Sequence, residues 1–177
     1  MNIFFLDKCL YRCVEKYHYK HLIKIILEIC QMMYAEYTPT LQHDKEVGVA
    51  YKRTHSKHPM TRWVNASIYN YWTAGSIGLI LCKRYTREYA RVHACEKRIR
   101  WLMNNNLFKL RSRSYDGIEQ GYTAECNHHA CALLRYCDTI PQCMPDHCKK
   151  PNAFDGYNTY YETVKVPMLS KLNKKLN

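Results

Sequence analysis

The chain has no apolar run approaching the roughly 20 residues that cross a bilayer as a helix, so a membrane-spanning protein is excluded and no membrane partner is expected. Met1 to Leu6 lack the basic start and long apolar stretch of a secretory leader, with only Ile3 to Leu6 apolar, so an intracellular protein is expected. Paired C-x-x-C spacing is also missing, although there are ten cysteines. With no route to an oxidising compartment, Cys9, Cys13, Cys30, Cys82 and Cys95 read as reduced, small buried hydrophobes on helices. The group Cys126, His128, His129, Cys131, Cys137, Cys143, His147 and Cys148 invites zinc but lacks the paired spacing, so neither metal nor cofactor is expected.

Acids are scarce, 15 against 27 lysines and arginines, leaving a net charge of +12. Such an excess attracts nucleic acid or acidic surfaces, although a basic surface with no dedicated partner has the same composition. Phenylalanine is scarce as well, four against sixteen tyrosines. Each buried tyrosine needs a partner for its hydroxyl, which leads us to expect a wet, aromatic-lined surface or cleft. There is no repeat, low-complexity tract or linker, and 177 residues suit one domain.

Helix signals dominate. The expectation is a mainly α, compact single-domain helical bundle spanning 1–169, with a short extended N-terminal arm and a basic, fraying tail at 170–177. Asp7 can cap a helix from about Lys8 to Tyr34, broken near Tyr17 to Tyr19, and Pro39 and Gly48 mark a polar loop over Thr38 to Lys57. His58-Pro59 starts a helix running to about Thr73, because proline at the first helical position forfeits no needed hydrogen bond. Gly75 and Gly78 weaken the pattern ahead of a long basic helix from Ile77 to Met103. A short helix over Ala124 to Tyr136 and a last one over Ala153 to Val164 complete the expectation.

The strongest signal is His21-Leu-Ile-Lys24-Ile-Ile-Leu-Glu28-Ile-Cys-Gln31, whose polar residues recur at spacings of three, four and three. They share an arc of roughly 80° of the helix, while apolar residues including Ile23 and Leu27 cover most of the rest. Such a narrow ionisable stripe either points into a cleft, making Glu28 a candidate catalytic carboxylate with His21 and Lys24 beside it, or forms a Lys24–Glu28 pair on a solvated edge. Around the His58-Pro59 junction, His55, Lys57, His58, Arg62 and Trp63 make a candidate phosphate site, since helix N-terminal amides are unpaired and arginine binds phosphate bidentately. Plain capping and packing is the alternative. Arg84, Arg87 and Arg91, with His93, form a third candidate, a cationic ladder that can track a DNA backbone.

These residues carry a resemblance. Met1-Asn2-Ile3-Phe4-Phe5-Leu6-Asp7, Lys20-His21 with Lys24, Glu28 and Gln31, Thr54-His55 through His58-Pro59 and Trp63, Glu88-Tyr89 with Val92-His93, Met144-Pro145-Asp146, and Tyr157 with Tyr160-Tyr161 together resemble a family of small phage and large-DNA-virus proteins over most of the chain. That family is in turn distantly similar to pyrimidine dimer DNA glycosylases, which share the short arm, an early helix with a catalytic glutamate, and a His-Pro…Arg-Trp segment. The resemblance implies a glycosylase and AP-lyase acting on damaged or modified DNA in host cytoplasm, nucleus or viral factory. In it the chain's own α-amine attacks C1′ of the nucleotide and the helix glutamate assists, a role that falls on Glu28.

An α-amine titrates near about 7.7 to 8.0, so part of it is nucleophilic at neutral pH. Asn2 predicts retention of the initiator, which makes the Met1 amine the nucleophile. The arginines that flank the glutamate in those enzymes are replaced by Ile25, Leu27 and Ile29. Two other functions fit the same residues: a non-enzymatic protein that sequesters a nucleotide, with Gln31 and the phosphate-binding residues in its cleft, and a basic DNA-binding structural protein.

Overall fold

In the computed structural model the described residues are 1–38, 40–105 and 129–173. They are mainly helical, with no strand among them. The break expected near Tyr17 separates α1 (Leu10–Glu15) from α2 (Tyr19–Met33), and the His18 ring nitrogen accepts from Lys20 N–H to cap α2. Pro59 sits at the start of α4 (Pro59–Ala66), which His58 caps in the same way through Met60 N–H.

Four boundaries differ from expectation. The loop after α2 contains α3 (Leu41–Val47), capped by Thr40. Its inward anchor is a histidine, His43, fully buried and bonded to Tyr34 Oη at 2.6 Å, so no apolar periodicity announced it. The helix opened by Pro59 stops at Ala66, where Ser67 caps α5 (Ile68–Tyr89). Gly75 and Gly78 lie inside α5: a Cβ on Gly75 would come within 2.7 Å of Met103 and one on Gly78 within 3.1 Å of Ile29 and Ile99. These glycines let α2 and α6 approach α5 closely, a packing reason for tolerating their helix cost.

The long basic helix is two helices. α5 ends at Ala90 in the left-handed region (φ 51°), and α6 (Cys95–Asn104) begins after a turn in which His93 accepts from Cys95 N–H. Further on come α7 (His129–Ala132), α8 (Ala153–Tyr160), a π turn over Tyr161–Lys165 and α9 (Val166–Asn173). The last helix therefore continues into the segment expected to fray, and 174–177 lie outside the described residues. So do Ala124 to His128 of the expected short helix.

The core forms where α2 lies against α4, α5 and α6, and α5 against α1. The arm Ile3 to Leu6 is buried beneath it without a strand partner. Its backbone is satisfied instead by side chains, as buried polar groups must be. Tyr17 Oη accepts from Phe4 N–H at 2.9 Å and donates to Phe4 O at 2.8 Å. The Cys13 thiol accepts from Leu6 N–H, and Lys16 and Asn158 donate to Leu6 O. Tyrosine abundance thus reports core as much as surface: Tyr17, Tyr34, Tyr71, Tyr157 and Tyr161 are all buried. No helix of the described residues is long and apolar enough to cross a membrane.

Candidate active site

The polar stripe of α2 lies along the border between its buried and exposed faces, so cleft and solvated edge are each partly realised. His21 and Glu28 are buried, Gln31 is half-buried and Lys24 is 68% exposed. Ile23 and Leu27, part of the apolar remainder of the helix, are exposed.

Glu28, only 9% exposed, meets the N-terminus of the chain. Its Oε2 accepts from Asn2 N–H at 2.8 Å and lies 3.9 Å from the α-ammonium of Met1, while Oε1 is 3.5 Å from Lys24 Nζ. A buried carboxylate needs such partners, since desolvation without them is costly. Two amines therefore flank one carboxylate.

Asn2 holds the arm in register. Its Nδ2 donates to Cys143 O at 2.9 Å, and its Oδ1 lies 3.1 Å from Tyr157 Oη, which also contacts Pro141 O at 2.6 Å. The Cys143 thiol and His58 come close enough to feel the α-ammonium. Burial pushes the Cys143 thiol up, against the pull of the Met60 amide and the ammonium. Burial, then the ammonium and His55, lower the pKa of His58, with Glu28 opposing. Its Nδ1 already accepts the Met60 amide, so neutral His58 carries its proton on Nε2.

His21 is stacked on Phe4, and burial, Lys165, His18 and Lys24 lower its pKa to about 4. Tyr161 Oη accepts from His18 N–H at 2.7 Å and is paired with His21 Nδ1 at 2.9 Å. Both histidines are thus held toward their neutral form.

The remaining candidates divide. His55 (φ 54°) and Lys57 are exposed in the turn before α4, and Arg62 is exposed on α4's first turn. Trp63 is a core residue: it is buried, edge-on to Phe5, with Nε1 donating to Asp138 O, and it presents no ring face for a base to stack on.

The ladder of α5 is broken with its helix. Arg84 donates to the carbonyls of Val14, Glu15 and Tyr17 and pairs with Glu88 at 2.5 Å, closing the C-terminus of α1. Arg87 pairs with Glu15 at 2.8 Å, Arg91 is exposed in the following turn, and His93 caps α6.

Sequence reasoning missed Asn2, Cys143, Tyr157 and Tyr161 as members of this site. The one available signal was Asn2, a polar residue in an otherwise apolar arm; the others depend on pairings more than a hundred residues apart.

Among the described residues no three His, Cys, Asp or Glu side chains are grouped to hold a metal ion, and Cys126 and His128 lie outside them. The arrangement offers acid–base chemistry by a carboxylate at an amine. Comparison with protein families, with curated proteins and with solved structures finds no match to this chain.

Proposed function

We propose that the protein acts on DNA as a glycosylase and AP-lyase, with the α-amine of Met1 as nucleophile and Glu28 as its acid–base partner. The observation that carries this reading is the α-ammonium 3.9 Å from Glu28 Oε2, with the neighbouring Asn2 amide fixed on that same oxygen at 2.8 Å.

Glu28 takes a proton from the ammonium, and the amine lone pair attacks C1′ of the target nucleotide. The base leaves with the electrons of the C1′–N bond and is protonated by water, whose hydroxide takes a proton from the attacking nitrogen. Glu28 returns its proton to O4′ as the C1′–O4′ bond breaks and the iminium forms, and its carboxylate then takes the C2′ proton as the 3′ phosphate is expelled. Water releases the amine as the sugar fragment departs. A positioned acid–base group contributes typically about 10²- to 10⁴-fold to such proton transfers. His55, Lys57, His58 and Arg62, beside α4's N-terminus, are the phosphate contacts in this reading.

The test is borohydride trapping on a duplex with one abasic site, using protein with a free or an acetylated N-terminus. Covalent trapping that acetylation removes is the expected result. Trapping that is absent from both, or unaffected by acetylation, refutes the amine mechanism.

A second reading, a non-enzymatic nucleotide binder, is favoured by one observation: the Met1 side chain is almost wholly covered and its amine already faces a carboxylate. Such a binder retains tight nucleotide binding after both N-terminal extension and Glu28→Gln, which an amine-dependent lyase does not need to do.

A further inference from the structure

Three large apolar side chains stand out on the exposed face of α2: Tyr19 (44% exposed), Ile23 (46%) and Leu27 (37%). Four residues apart, they form one ridge along the helix. Isolated exposed apolar residues need no explanation, but a contiguous ridge marks a contact surface. The ridge ends beside Glu28, whose carboxylate meets the chain's amine. Along its border run Lys20 and Lys24, and Glu28 is the sole acid of the helix. Lys165 adds a third cation close enough to lower the pKa of His21.

We infer that this ridge is a wedge for duplex DNA, with Ile23 and Leu27 entering an opened base step next to the nucleotide that reaches Glu28, and Lys20 and Lys24 on the adjacent phosphates. This rests on the DNA-acting half of the reading above and adds how the target base is exposed.

The occupant follows from chemistry and scale. A face that is apolar along its crest and cationic along its border, with no exposed acid on the helix, complements flat apolar bases bounded by phosphates. Residues four apart on a helix are separated by about 6 Å along its axis, less than two base steps of about 3.4 Å each. With the helix lying across the duplex axis the two side chains address one opened step, as apolar wedges do when they unstack and kink a duplex. A second protein surface would be expected to offer acids to these lysines and to bury Tyr19 equally.

The experiment uses the full chain and a duplex carrying a tetrahydrofuran abasic analogue beside 2-aminopurine, whose fluorescence rises when it unstacks. The analogue has no aldehyde, so the readout is independent of amine chemistry. Wild-type protein is expected to raise the fluorescence, and Ile23→Ala/Leu27→Ala to reduce that rise at least about fivefold while still binding. Lys20→Ala and Lys24→Ala should each lower the slope of log affinity against log salt by about one. Both apolar positions are exposed, and far-ultraviolet circular dichroism verifies that the variant is folded.

Equal unstacking by wild type and the double variant overturns the wedge, as does a failure to bind the duplex. A solution dimer that Ile23→Asp/Leu27→Asp separates also overturns it, by showing a second copy on the ridge. Intact unstacking without trapping on a natural abasic site removes the lyase and leaves the wedge. Trapping without unstacking removes the wedge and leaves the lyase.

Discussion

Glu28 and Arg84 are both polar side chains held against backbone from another part of the chain, one by a single amide and the other by three carbonyls. Arg84 donates to three carbonyls at the end of α1 and meets Glu88 at 2.5 Å and Glu15 at 3.8 Å. Its donors are directed inward.

Glu28 has one short contact, the Asn2 amide at 2.8 Å, and two amines at 3.5 and 3.9 Å, beyond normal hydrogen-bond length. A carboxylate has about four acceptor positions. Glu28 thus sits at a meeting of amines, whereas Arg84 spends its Nη1 on backbone carbonyls and its Nε on Glu88, even though sequence composition presents the arginine as the DNA-binding group.

The sharpest way to break this contrast is Glu28→Gln. It keeps an acceptor for the Asn2 amide but removes the base, so we expect trapping on abasic DNA to fall by about 10²-fold or more with DNA affinity retained. Unchanged trapping in that variant sinks the assignment of Glu28.

A second contrast is with His21, buried two turns before Glu28 on the same stripe, against Phe4 and Tyr161. Its pKa is lowered to about 4 in the fold, against about 6.5 when unfolded. The unfolded chain therefore binds its proton first as the pH falls. The stability due to neutral His21 is fully present above about pH 6.5 and is lost progressively toward pH 4, by up to about 3 kcal/mol. Urea unfolding across this range should show a shallower pH slope for His21→Phe. Part of the slope should survive, since His18 and His58 are also lowered by burial.

Next in size is Arg84→Ala, expected to cost about 2 kcal/mol in denaturant unfolding, as charge-assisted bonds to the α1 carbonyls are lost. DNA affinity should change little. A large affinity loss with unchanged stability would reverse the structural reading of Arg84. The smallest effect is expected for Arg87→Ala: its Glu15 pair is on the surface, where ion pairs contribute little, so the unfolding midpoint should not move measurably.

The sequence disclosed those parts of this picture that depend on neighbours along the chain. Proline at Pro59 marked the start of α4, and the spacing from His21 to Gln31 placed one stripe on one helix. Periodicity cannot tell which side of the apolar arc faces water, and Ile23 and Leu27, both on that arc, are exposed. It also failed wherever a polar residue anchors an element, as His43 does for α3 and Asn70 does for the C-terminal segment. Asn70 Nδ2 donates to Trp63 O and Asp138 Oδ2, and its Oδ1 accepts from Asp138 N–H. The end of α5 at Ala90 was hidden because a left-handed alanine has no composition signal.

The arm has a consequence for synthesis. Asn2 is held by Cys143 and Tyr157, Phe4 is surrounded by Tyr17, Tyr157, Tyr160 and Tyr161, and His21 is fixed by Tyr161. A ribosome delivers residues 2 to 28 long before residues 141 to 161, so the early segment must wait with its apolar side chains uncovered. The amine and carboxylate can meet in an exposed nascent chain, but their fixed geometry arrives only with the last helices. The arm and the carboxylate it meets are thus held in place by partners that follow them by more than a hundred residues.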